Sequence, residues 1–482
     1  MRVFISAGEP SGDHHAALLV RAIRSQRPDV ECAGLGGPCM EAEGCVLVAD
    51  MTQLAVMWFL RVLLNIHRFV DLARRAERSF LDAPPDVCVM VDFPGFHWWL
   101  AWRAKRHGIP VLFYCPPQIW AWASWRKKKM RRLVDHVLSV LPFEHDWFTA
   151  EGIPSTLVGH PFFDEFVGRE SPGSSGPRAR ARGFLEEEHS QSAGANHHAG
   201  VETNAGVGSR ARDRGFLRED HSQEAAGASR RAAAEFDASA DAFVSGPLVL
   251  LLPGSRGQEI EGNLASILRA AAVVRGRVPG SRFVVGALHE RHAARAREVL
   301  GAMQGELGGL DVAIEAGRTR SLIAEARAAI AVSGSVSLEL LAARVPTVIV
   351  YRISGLAYVV QSWFRHARFI TLVNLLASRV PIGPTRPVLW PPAGVPLADP
   401  EMAFPEYLSV ADPAHTAASH VIEWLTDSRA RDRVVARLEE IARGVAHPGS
   451  AERTAAAVLS IAGGRRPAGG KEQQVTPFTQ AA

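Results

Sequence analysis

Short apolar runs alternate with segments of helical length twice along this chain, and that alternation confines it to α/β architectures. In the first series, residues 3–6, 86–92 (DVCVMVD), 110–115 (PVLFYC) and 136–141 (HVLSVL) read as strands. Residues 13–25 and 97–107 lie among them with helical length. The second series runs through 248–252 (LVLLL), 282–285, 328–332 and 346–351, with helical stretches at 259–275, 290–300 and 335–343. Each series predicts a parallel, doubly wound, Rossmann-like sheet whose ligands gather at the carboxyl ends of the strands. Two such halves in one chain face each other across a cleft. The expected division is 1–170 and 246–412 for the halves, 413–462 for closing helices that pack back across them, and 463–482 for a disordered tail.

Between the halves the pattern stops. Residues 171–245 are rich in Ala, Gly, Ser, Arg and Glu, and RARARGFL at 178 recurs as RARDRGFL at 210, each copy followed by His-Ser-Gln. Two copies are too few for a solenoid. Such a composition cannot bury enough apolar surface to offset chain entropy, so a disordered insertion is expected. Replacing residues 172–240 by a short Gly/Ser linker should therefore leave solubility, folding and activity unchanged. Insoluble or inactive protein would show that the segment packs or acts.

Composition narrows the partners. The net charge of +4 over 482 residues suits nucleotides, phosphates or a membrane surface and is too weak to argue for nucleic acid. The five cysteines (Cys32, Cys39, Cys45, Cys88 and Cys115) form no CxxC pair, which fits a reduced, cytoplasmic compartment. The N-terminal apolar run is too short for a signal peptide, and no 18 consecutive apolar residues occur, so no membrane-spanning helix is expected.

The loops that follow strands carry the chemistry. AGEPSGD (residues 7–13) opens a helix, and its glycines and helix N-terminus suit an anion. It reads equally well as a tight turn capped by Ser11 or Asp13. In MVDFPGFH (90–97), Asp92 ends a buried strand, where desolvation raises a carboxyl pKa and suits it to general-base work. Its alternative role is a helix cap. Residues 115–132 pair three tryptophans (Trp120, Trp122 and Trp125) with six basic residues between 126 and 132, an amphipathic, anion-seeking element. A solvated helix face explains the charges equally, but not the tryptophans. In LPGSRGQE (252–259), Gly254 and Ser255 permit close approach to phosphate, and Arg256 can fork onto a diphosphate. SGSVSLE repeats that design with Ser333, Gly334 and Ser335, and Glu339, one turn into the helix, can accept from ribose hydroxyls, though a glutamate there reads equally as a surface residue.

Together AGEPSGD, MVDFPGF, IWAW, LPFE (141–144), GHP (159–161), LLPGSRGQE, SGSVSLE and NLLASR (374–379) stand in the order found in lipid-A-disaccharide synthases, and the chain resembles that family over about 2–163 and 248–379. The resemblance implies an inverting, metal-independent glycosyltransferase of the GT-B type that needs no cofactor. It implies that UDP-2,3-diacylglucosamine donates to 2,3-diacylglucosamine 1-phosphate, giving a β-1,6-linked disaccharide 1-phosphate and UDP. Asp92 then matches the family's acidic residue and is the candidate base, and Arg256 matches the arginine expected on the departing diphosphate. Gly8, Glu9, Ser11, Asp13, Trp120, Trp122 and His160 are assigned to the sugar substrates. Gly254, Ser255, Glu259, Ser333, Gly334, Ser335, Glu339 and Asn374 are assigned with Arg256 to the nucleotide. Gly95 and His97 stand where relatives often have Asp and Asn, Pro117-Gln118 replaces a Ser-Pro-Ser-like sequence, and residues 380–403 lengthen a short join.

Inversion needs a base on one face of the sugar and leaving-group stabilisation on the other, which these residues can supply without a paired-acid metal site. Two other readings stay open at this level. One is another UDP-sugar enzyme of the same fold, an epimerase or an undecaprenyl-linked transferase, against which the Trp-rich and GSRGQE motifs argue. The other is a non-catalytic lipid- or nucleotide-binding module. Acylated substrates place the protein at the inner face of the cytoplasmic membrane, and residues 54–64 (LAVMWFLRVLL) are the expected contact, unless they form a core helix.

Overall fold

A computed structural model describes residues 1–52, 66–167, 246–383 and 387–464. The duplicated insertion, the candidate membrane segment 54–64 and nearly all of the tail lie outside these residues.

Two all-parallel sheets organise the molecule. The first holds β1 (Arg2–Ala7), β2 (Glu31–Gly36), β3 (Val46–Asp50), β4 (Val87–Val91), β5 (Val111–Tyr114), β6 (His136–Ser139) and β7 (Ser155–Leu157) in the order β3-β2-β1-β4-β5-β6-β7. The second holds β8 (Leu248–Leu252), β9 (Arg282–Ala287), β10 (Ala313–Ala316), β11 (Ala328–Ala331), β12 (Thr347–Arg352) and β13 (Glu406–Ser409) in the order β10-β9-β8-β11-β12-β13. Strand order reverses once in each sheet, between β1 and β4 and between β8 and β11. A crevice opens at such a switch point because the loops leaving its two strands diverge to opposite faces. The two pairs of motif loops read from the sequence leave these four strands.

The central strands β4, β5, β8 and β11 are buried along their whole length, as a sheet covered on both faces requires. The predicted strands and helices are present, with ends shifted by a few residues. Sequence reading did not register β2, β3, β7, β10 and β13. In β2 (ECAGLG) the reason is steric, because a Cβ on Gly34 would lie 1.8 Å from the Ile5 carbonyl oxygen of β1. Close approach demands glycine where strand propensity disfavours it.

The closing helices divide between the two halves. Ala414–Thr426 and Ser428–Val445 cover the second sheet, while Ser450–Ala462 packs on Pro10–Gln26 and places Ala451, Ala455 and Val458 in the first core. In the other direction, the segment after the helix Gly355–Phe364 reaches from the second half into the first. Ala367, Phe369 and Leu375 join the first core, and His366 N–H donates to the Ala121 carbonyl at 2.7 Å. The long join before β13 is pinned by the ion pairs of Arg368 with Asp399 and Glu401. Among the described residues no helix is long and apolar enough to cross a membrane.

Candidate active site

A cleft of about 1760 Å³ lies between the two sheets, walled on one side by loops after β1, β4 and β5 and on the other by loops after β8, β10 and β11. Of the residues assigned from sequence, all but Gly8, Asp13 and Asn374 line it.

On the first wall Asp92 and Phe93 have φ of 54° and 43°, two consecutive non-glycine residues in the left-handed region. Aspartate tolerates that region better than most side chains, and such strain persists only where neighbours enforce it. His97 does so here: its Nδ1 lies 2.6 Å from the Asp92 carbonyl oxygen and its Nε2 lies 3.0 Å from Ser6 Oγ at the end of β1. Burial lowers the His97 pKa to about 4, so the imidazole is neutral at neutral pH. Burial raises the Asp92 carboxyl pKa, and a backbone hydrogen bond from Phe93 partly opposes the rise. Glu9 is pushed up by burial and by the Asp92 charge, while Arg256 on the facing wall pulls it down. These three groups therefore share one electrostatic field across the cleft.

On the second wall Arg256 precedes the helix Gly257–Arg277, with its side chain 77% exposed toward the cleft and 3.2 Å from Glu259. The other Glu259 oxygen accepts from Ser255 N–H at 3.1 Å. Gly254 has φ of 113°, and a Cβ there would meet the Glu259 carboxylate. Glu259 thus shapes the loop from within and steadies Arg256. Ser333 donates to the Ile370 carbonyl at 2.6 Å, which ties the second loop to the segment crossing between the halves. Glu339 lies 3.8 Å from Arg320 at the cleft wall.

Three assigned residues stand apart from the cleft, each for a geometric reason. Asp13 is buried with its carboxylate accepting from the N–H groups of Gly37, Cys39 and Met40, so it caps the short helix Pro38–Ala42, not the helix it belongs to. Gly8 is fixed by packing, since a Cβ would lie 2.4 Å from the Phe93 ring. Asn374 is fully buried: its amide donates to the Phe404 carbonyl and Glu406 and accepts from the Ala403 and Phe404 N–H groups, all within 2.7–2.9 Å. Its neighbours Leu372 and Leu375 reach the cleft instead. Asn374→Leu would leave those buried groups unpartnered, so we expect a loss of about 3 kcal/mol or more in denaturant-measured stability. A variant as stable as the parent would refute the bracing role.

Residues 3–177 and 232–383 match the profile of the lipid-A-disaccharide synthetase family. The chain belongs to this family. The lipid-A-disaccharide synthase of Alkalilimnicola ehrlichii is 30% identical over 464 residues, spanning 96% of this chain and 99% of that protein. That of Anaeromyxobacter sp. strain K is 28% identical, spanning 95% and 97%. Among solved structures, a putative UDP-N-acetylglucosamine 2-epimerase from Listeria monocytogenes has a TM-score of 0.54 at 10% identity, covering 95% of this chain and 96% of its own. The enzyme from Neisseria meningitidis, solved with UDP-GlcNAc, has 0.51 at 9%, covering 95% and 100%. At these identities the structures share the GT-B fold and nothing finer.

The departures from the family's pattern now have a place. His97 faces inward to Ser6 and Asp92, whereas Gly95 is exposed with nothing within 4 Å of a Cβ built on it. Sequence reading also passed over residues that line the cleft. Glu144, quoted within LPFE, is buried there, accepting from Trp120 Nε1–H at 3.1 Å and Val140 N–H at 3.1 Å. Burial pushes its pKa up to about 7, against the hydrogen bonds from Trp120 and the backbone. Trp120 is consequently a fixed wall, its ring edge-on to Phe143. Half-buried His160, held neutral with a pKa lowered to about 3 by desolvation and then by His15, lies beside His15 on the floor. Arg318 and Arg320 follow β10, a four-residue edge strand too short to stand out in the sequence, and line the cleft.

Proposed function

We propose that this chain is the glycosyltransferase of its family, moving a 2,3-diacylglucosaminyl unit from UDP to the 6-hydroxyl of 2,3-diacylglucosamine 1-phosphate. The single observation that carries the reading is the pairing of Asp92 and Glu9 at one switch point with Arg256 and the Ser333–Ser335 loop at the other, within one cleft.

The division of labour follows from charge. Asp92, raised in pKa by its surroundings, takes the acceptor hydroxyl proton as the acceptor oxygen bonds to the sugar's anomeric carbon. The bond from that carbon to the diphosphate breaks on the opposite face, with inversion. Arg256 and the amides of the two glycine-bearing loops receive the negative charge that collects on the leaving UDP. Burial keeps Asp92 a stronger base than a free aspartate, and Glu9 on the same wall is raised in turn by burial and by the Asp92 charge. Glu339 is placed for the ribose hydroxyls. Both sugars carry acyl chains that stay in a bilayer, so the protein works as a peripheral enzyme at the cytoplasmic membrane surface.

Purified protein given the UDP-diacylglucosamine donor and several phosphorylated acceptors should yield, by mass spectrometry, a tetra-acylated disaccharide 1-phosphate and stoichiometric UDP. Release of UDP with no disaccharide, or interconversion of UDP-sugars, would overturn the assignment.

A further inference from the structure

The helix Gly355–Phe364 (GLAYVVQSWF) contains no charged residue, yet among its ten residues only Ser362 is buried. Leu356 is 76% exposed, and Val360, Trp363 and Phe364 are each at least half exposed. Two other segments extend this strip. Ser362 and Trp363 hold the Val388 backbone, at 3.0 Å and 3.3 Å, beside Leu389 and the 83% exposed Trp390. From the first half, Trp125 meets Phe364 edge to face, with ring centroids 6.1 Å apart. Apolar side chains grouped this way on a protein surface mark a place where something docks.

Three features identify the occupant. The first is charge: Trp125 leads directly into the helix Lys127–Leu133, which with Arg126 presents Lys128, Arg131 and Arg132 to solvent. The second is ring type. Among the described residues Trp99, Trp102, Trp125, Trp363 and Trp390 are exposed; Trp99 and Trp102 lie on the helix Pro94–Arg106, against which Lys127–Leu133 packs. Tryptophans beside cations are the pattern of the headgroup layer of a membrane. The third is continuity with the cleft: the chain runs from Phe364 to Ala367 and Phe369, and from Trp125 back to Trp122, and Trp122, Ala367 and Phe369 line the cleft. A second copy of the chain would bring the same cations, whereas acidic headgroups supply the opposite charge.

We propose that this two-domain strip, the helix Gly355–Phe364 with Trp125 and Trp390 and the basic helix at its edge, seats the protein on an anionic lipid bilayer and opens the cleft toward it. The proposal rests on the reading that the substrates are acylated. Because Trp125 and Phe364 come from different halves, a bilayer touching both also fixes how the halves face each other.

The test measures binding to vesicles of phosphatidylglycerol and phosphatidylethanolamine, and to phosphatidylcholine vesicles, for full-length protein. Leu356→Ser with Val360→Ser, and separately Lys128→Glu with Arg132→Glu, change exposed residues outside the cleft. Each pair should weaken binding to the anionic vesicles by about tenfold or more, with circular dichroism and turnover of detergent-dispersed substrates unchanged. Undiminished vesicle binding in both folded variants overturns the proposal, as does wild-type binding to phosphatidylcholine as tight as to phosphatidylglycerol. Loss of binding only in Trp58→Ser with Phe59→Ser, within the other candidate segment, overturns it as well. A monomer–dimer equilibrium lost in the variants without vesicles would make the strip an interface between copies instead. Lost vesicle binding in a protein that forms no disaccharide would sink the catalytic reading and leave the docking surface standing.

Discussion

Asp92→Asn lowers turnover by roughly 10²–10⁴-fold, the usual worth of a general base, while UDP affinity stays as it was. The substitution is unusually clean at this position. Asparagine tolerates a φ of 54° as well as aspartate does, and its amide oxygen still accepts the Phe93 backbone hydrogen bond. Stability should therefore hold or rise. The sign follows from linkage: the folded-state pKa of Asp92 is raised, so its proton-linked stability is present at low pH and is lost as pH rises through that pKa. Once ionised, the carboxylate is a burden on the fold that asparagine removes. Activity has the opposite dependence. The base acts deprotonated, so kcat/KM of the parent should fall with decreasing pH along a limb set above the ordinary aspartate range. In the Asn variant that limb disappears. Near-normal turnover, or a variant that loses activity because it unfolds, would refute the assignment.

What was legible in the sequence divides along physical lines. Strands buried on both faces announce themselves as unbroken apolar runs, so β4, β8 and β11 could be read directly. The loops that follow them were legible as well, because glycine, serine and a lone charge directly after such a run have few structural uses. β2 was hidden by its glycines, of which Gly34 is explained only by the neighbouring backbone of β1, and β10 by its shortness, four residues at the sheet edge. At the site, side-chain type told which residues could do chemistry, while direction was settled by partners far away in the chain. Asp13 turns to amides some 24 to 27 residues on, and Asn374 turns to a backbone about 30 residues on. Motif membership cannot separate a residue that touches the ligand from one that holds the loop. Glu144 shows the converse, since it sat inside a quoted motif with no assigned role and proves to be a buried carboxyl on the cleft wall.

Arg256 carries the second large effect, and here the competing possibility is the exposed ion pair it makes. Glu259 lies 3.2 Å from the guanidinium, but a pair this exposed contributes little to stability, so removing Arg256 should leave the fold intact. What changes is the field at the leaving group. The arginine stands at the start of the helix Gly257–Arg277, where backbone amides already favour an anion, beside a Gly254 whose φ of 113° brings the loop close. A diphosphate gathering charge as its bond to the sugar breaks would draw the planar fork from Glu259, with two hydrogen bonds replacing one. Lysine keeps the charge and lacks the fork. Arg256→Lys should accordingly weaken UDP binding modestly and reduce kcat by roughly 10²–10³-fold, the scale for removing one donor aimed at developing charge. Glu259→Gln supplies the control. Its amide oxygen can still accept from Ser255, so the loop keeps its shape while the guanidinium loses its anionic tether, and UDP should bind at least as tightly as before. Calorimetric UDP affinity and single-turnover rates separate the two variants. If Arg256→Lys leaves both affinity and rate untouched, the guanidinium faces solvent throughout the reaction and the leaving group must be stabilised by the other basic loop of that wall, Arg318 and Arg320.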